Sequence, residues 1–131
     1  MRVLALALLV ACGHPAKPTP PEKPTVDTAA LAAELDAQQA ELALVLHRDR
    51  AACPALAANL RALFARMETT MARARDAQRD PEVAKALTSD LKRYDAAAAE
   101  RSTRMEAELT HDAPCIRDQA VRDALMTMPT L

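Results

Sequence analysis

The chain has 131 residues, 31 of them Ala, with one Gly, one Phe and one Tyr, and 17 basic against 18 acidic side chains. That balance leaves no basic excess to hold a nucleic-acid backbone, and the lone Gly13 excludes a glycine-rich phosphate loop. So much Ala with so few aromatic residues calls for helices, not sheets.

In chain order, Arg2 supplies one positive charge and Val3 to Ala11 form a short apolar run, the layout of a signal peptide. The run is too short to cross a bilayer, which takes about 20 apolar residues. Its end, Leu9-Val10-Ala11-Cys12, resembles the lipobox of bacterial lipoproteins. The resemblance implies a diacylglycerol thioether on Cys12, cleavage after residue 11, and an acylated amine (a palmitate-type chain) on the new first residue. Membrane attachment at Cys12 would be firm, because each buried methylene contributes about 0.8 kcal/mol and several chains act together. Gly13 stands where some Gram-negative lipoproteins carry an Asp that retains them in the inner membrane. The resemblance therefore implies a cell-envelope location, on the outer membrane and facing the periplasm or the surface.

Residues 12–26 read as a tether. Pro15, Pro18, Pro20, Pro21 and Pro24 favour extended polyproline conformation. At about 3.1 Å per residue the segment reaches roughly 40 Å. His14 lies within it and reads as a solvated residue.

Residues 27–131 read as one small domain. Helix one is expected from Thr28 to Arg50, capped by Asp27, with Leu31, Leu35, Leu42, Val45 and Leu46 on one face. Helix two is expected from Pro54 to about Gln78, with Leu56, Leu60, Leu63, Phe64, Met67, Met71 and Ala74 as its stripe. Helix three is expected from Pro81, capped by Asp80, with Ala84, Leu87, Leu91, Tyr94, Ala98, Met105 and Leu109 inward. Helix four is expected from Pro114 to Thr127, with Val121, Leu125 and Met128 inward. Pro54, Pro81 and Pro114 suit first helical positions, where a missing N–H costs nothing. Short connections make successive helices antiparallel neighbours. The expected fold is all-α: an up-down antiparallel bundle of three long helices and one shorter helix. Helix one is acidic (Asp27, Glu34, Asp36, Glu41) and helix two mainly basic (Arg61, Arg66, Arg73, Arg75 and Arg79 against Glu68 and Asp76), so the two are complementary. A docking face for an acidic partner is the other reading of those arginines.

Cys53 precedes Pro54 and Cys115 follows Pro114. In an up-down bundle helices two and four run parallel, so these cysteines fall at the same end. With Cys12 taken by lipid, an oxidising compartment leaves Cys53 and Cys115 to pair. A redox pair would want CxxC spacing, which is missing. A metal site drawing on His47 and His111 at the same pole is the alternative.

Ser89 and Ser102 are the only serines, and neither sits in a nucleophile elbow. HExxH, CxxCH and EF-hand spacings are absent, and the carboxylates are scattered. The sequence therefore reads as a non-enzymatic protein without catalytic residues, metal or cofactor. Its expected role is structural or protein-interacting in the envelope. Its expected partners are the membrane and an envelope protein, with neither nucleic acid nor a small-molecule substrate. The alternative is a ligand-binding or chaperone-like module. For haem, Met67 or Met71 would pair with His111; the resemblance to exported four-helix cytochromes is one of architecture alone, and Met at such spacing is more often core.

Overall fold

A computed structural model describes residues 16–20 and 25–130. The expected signal segment, Cys12 and His14 lie outside the described residues. Five α-helices and a 3-10 turn follow: α1 (Thr28–Arg48), α2 (Cys53–Ala77), α3 (Pro81–Leu91), the turn Lys92–Tyr94, α4 (Asp95–Glu108) and α5 (Gln119–Leu125). The architecture is an all-helical bundle, and no strand occurs among the described residues.

Local chemistry sets the helix starts. Asp27 Oδ1 accepts the Ala30 N–H at 2.9 Å, and Asp80 Oδ1 accepts the Glu82 N–H at 3.0 Å. Pro54 and Pro81 lie in the first turns of α2 and α3. Each such side-chain cap contributes about 1 kcal/mol by satisfying an N–H that has no partner within the helix.

Four expectations need correction. Helix one ends at Arg48, not Arg50, because the chain turns at Asp49. Helix three is not continuous. The 3-10 turn at Lys92–Tyr94 divides it, letting α3 lie across one end of α1 while α4 runs along it. Helix four does not start at Pro114. Turns occupy 114–117, and Asp118 opens α5 by accepting the Val121 N–H at 3.0 Å. Aspartate supplies an acceptor for the free amides, whereas proline only lacks one, so the cap wins. Met128, expected inward, is 49% exposed because α5 ends three residues earlier.

The neighbours also differ from a simple up-down order. Helices α3 and α4 pack chiefly on α1, not on the preceding α2, and α5 packs on α2. The core accordingly has two parts. One joins Leu42, Val45 and Leu46 of α1 to Leu56, Leu60, Leu63, Phe64 and Met67 of α2, closed by Cys115, Val121 and Ala124. The other joins Leu31 and Ala32 to Ala74, Ala77 and Leu87. Leu60 and Leu63 have no exposed surface, so truncating either to Ala costs about 2–5 kcal/mol.

The expected charge complementarity is present. Arg73 meets Glu34 at 2.7 Å, Arg66 pairs with Glu41, and half-buried Arg101 of α4 pairs with Asp36. At the α1–α2 turn, buried Asp49 accepts two N–H groups of Arg48 (both 2.8 Å) and the Asn59 amide (2.7 Å). These bonds, Arg48's first and Asn59's second, hold its carboxyl at about 2, below the ordinary 3.8.

Cys53 and Cys115 are joined by a disulfide, with Cα atoms 5.2 Å apart. It ties the start of α2 to the segment leading into α5. The bond closes a loop with a sequence separation of 62. Replacing both cysteines with Ser is expected to lower the unfolding free energy by about 4 kcal/mol. Urea denaturation of parent and variant checks this; coincident midpoints would contradict it.

The Asp49 carboxylate is favoured in the folded state, so its contribution is complete above the unfolded pKa and fades as pH falls through the folded one. The stability gap between the parent and Asp49→Asn should be full above about pH 4 and shrink towards about pH 2. Urea titrations across that range measure it; a gap that widens on acidification would be the wrong sign.

Candidate functional site

Helix α4 begins Asp95-Ala96-Ala97-Ala98-Ala99 and contains no buried residue. Alanine holds a helix well but offers little side chain to fill the space beside it. So α4 packs through small contacts, a few polar ones and Met105 against the core, leaving a groove on each flank.

The outer groove, between α1 and α4, has a volume of about 610 Å³. Ala40, Ala43 and Leu44 face it from α1, and Ala97 and Ala107 from α4. Leu44, near the C-terminal end of α1, is 58% exposed and gives the groove its one large apolar side chain. Glu100, Arg101, Arg104, Glu108 and His47 supply charge and polarity along its edges. His47 Nδ1 lies 2.6 Å from Glu108 Oε1, tying together the last turns of α1 and α4.

The inner groove, of about 350 Å³, opens where helix three breaks. Leu35, Gln38 and Gln39 of α1 face it, with Met67 and Met71 of α2 on one side. Leu91, Tyr94, Asp95 and Ala98 line the other side, and Asp36 completes the lining. A polar relay crosses the α1–α2 interface here. The Thr70 hydroxyl, 1% exposed, donates to Glu34 at 2.6 Å, and the Gln38 amide donates to Thr70 Oγ1 at 2.8 Å. The bond from Thr70, then that from Arg73, lowers the Glu34 pKa and keeps its carboxylate an acceptor. Gln38 Oε1 is buried and has no hydrogen-bond partner. Leaving a buried acceptor unpaired costs about 1–3 kcal/mol.

The cysteine pole assembles as the helix order requires. Cys115 is 2% exposed and bonded to Cys53. The two histidines do not join it. His47 is engaged by Glu108, and His111 Nε2 lies 2.8 Å from the Arg117 guanidinium. Among the described residues, no three His, Cys, Asp or Glu side chains converge as a metal-holding group. Met67 and Met71 line the inner groove without a histidine beside them, so the Met–His111 pairing weighed for haem is not assembled. The arginines of α2 are occupied within the molecule. Arg66 and Arg73 bond to α1, while Arg61 and Arg75 donate to the carbonyls of Ala120 (3.2 Å) and Thr130 (2.8 Å).

Sequence reasoning missed both grooves and the relay. The relay had a signal. Thr70 follows Met67 by three residues on the α2 stripe, and Gln38 lies between Leu35 and Leu42 on the α1 stripe. Polar groups at apolar positions mark a bonded layer. The grooves had no comparable signal, because they depend on where α4 comes to rest.

No helix among the described residues is long and apolar enough to cross a membrane. No family model, no curated protein and no solved structure matches the chain.

Proposed function

We propose that this is a lipid-anchored protein of the bacterial cell envelope with a non-enzymatic, protein-interaction role. The observation that carries the reading is Cys12 at the end of a short apolar run, in the lipobox-like Leu9-Val10-Ala11-Cys12. The Pro-rich stretch that follows is the spacer an anchored domain needs to stand clear of a lipid surface. The Cys53–Cys115 disulfide supports the same compartment, since such bonds persist where the environment is oxidising. With Cys12 acylated, no thiol is left over.

The surface offered to a protein partner is the outer groove. Its floor of alanines lets a helix approach closely, exposed Leu44 gives an apolar anchor, and its charged edges set register. The occupant that fits is an amphipathic helix presenting both charge signs along its flanks, to exchange with the exposed Arg104–Glu100 pair and the His47–Glu108 pair that edge the groove.

Two experiments test the reading. Cys12→Ser is expected to move the protein from the membrane to the soluble fraction and to end incorporation of a labelled fatty acid. Unchanged fractionation would refute the anchor. A photo-crosslinking residue in place of Leu44 should give a discrete adduct in intact envelopes, while one in place of Lys85 on α3 should not. Equal labelling from both positions would refute the groove as the docking face.

A further inference from the structure

The relay beneath the inner groove fixes the direction of every hydrogen bond in it. An ionised Glu34 only accepts, so the Thr70 hydroxyl gives it its single hydrogen. Thr70 Oγ1 then has only lone pairs to offer Gln38, and Gln38 must turn its NH₂ group that way. The carboxamide cannot flip without setting its oxygen against the Thr70 oxygen. Its own oxygen is therefore held away from Thr70, buried and without a donor, on a side chain that lines the inner groove.

The surrounding walls define what could supply that donor. Leu35, Met67, Met71 and Leu91 present apolar surface, and Tyr94 an aromatic ring. Of the carboxylates at the rim, Asp36 is already paired with Arg101 and Asp95 adds a negative charge, so the lining residues offer an anion no free cation. A volume of about 350 Å³ lies at the small end of ligand sites. We propose that the inner groove binds a small uncharged molecule of one or two fused apolar rings carrying one N–H or O–H donor, which Gln38 Oε1 accepts. The oxygen exposes less than 1 Å² to solvent, so a wall residue yields as the ligand enters. Met71 is suited to that: it is half-buried, and its unbranched thioether chain repacks at little cost. This site is independent of the anchor and of the outer groove.

The test uses the full chain carrying Cys12→Ser, with its methionine methyl groups labelled for NMR. The probes are indole, which has a ring N–H, and benzofuran, the same shape with oxygen in its place. Indole is expected to shift the Met67 and Met71 methyl signals and leave those of exposed Met126 and Met128 unmoved. Benzofuran is expected to bind at least about tenfold more weakly, because the buried oxygen stays unpaired. Gln38→Leu should erase that preference. Ala98→Met, which fills the groove from α4, should abolish binding of both probes, and it serves alone if Gln38→Leu loses its helical signal. Three results would each overturn the proposal: no shift at millimolar indole, equal affinity for both probes, or shifts that survive Ala98→Met. The second would mean that water satisfies the oxygen, and the third that indole sits elsewhere.

Discussion

The antiparallel contact between α1 and α2 is what every other element attaches to. Its apolar rungs are Leu42, Val45 and Leu46 against Leu56, Leu60, Leu63 and Phe64. Its polar rungs are Glu34 with Thr70 and Arg73, Gln38 with Thr70, and Glu41 with Arg66. The two kinds do different work. Apolar burial supplies most of the free energy but is indifferent to small slips along the helix. Thr70, which must accept from Gln38 and donate to Glu34, is satisfied in only one register. The remaining helices then need little of their own: α5 is held by Val121, Ala124 and a covalent bond, and α3 by Leu87.

The disulfide matters because of how little α5 buries. A helix of seven residues is unstable alone, since nucleation costs more than so few hydrogen bonds return. The Cys53–Cys115 bond holds the start of α5 beside α2 however little α5 itself buries. The Asp49 cluster acts at the same pole. A carboxylate at a helix C-terminus opposes the helix dipole, and the paired Arg48 bonds and Asn59 offset that cost while tying the turn to α2. The last turn of α4 is drawn to this end by the contact between His47 and Glu108.

The parts legible in the sequence were those governed by neighbours along the chain. Asp27 and Asp80 acted as caps, Pro54 and Pro81 opened helices, and the acidic and basic helices met face to face. The disulfide was legible one step further, because helix order alone brings two N-terminal ends together. What escaped depends on three-dimensional packing. Lys92-Arg93-Tyr94 contains neither Pro nor Gly, and its helical pattern continues unbroken from Leu91 to Ala98. The turn forms there because α3 must reach Leu31 and Ala32 while α4 follows α1 towards His47. Pro114 misled for the opposite reason: a strong local signal lost to Asp118, four residues on, which offers the amides an acceptor.

The grooves follow from the same break. Because the chain turns at Lys92–Tyr94, the segment laid along α1 is the alanine-rich one, which cannot fill the space on either side. The inner flank keeps Met67 and Met71 beside an amide oxygen that the relay has fixed in place. The outer flank leaves Leu44 uncovered. One weakly packed helix therefore accounts for both concave surfaces, and the two differ in character because α1 turns different residues to them: a buried carboxamide on one side, alanines and a leucine on the other. A bulkier α4 would gain stability and close both.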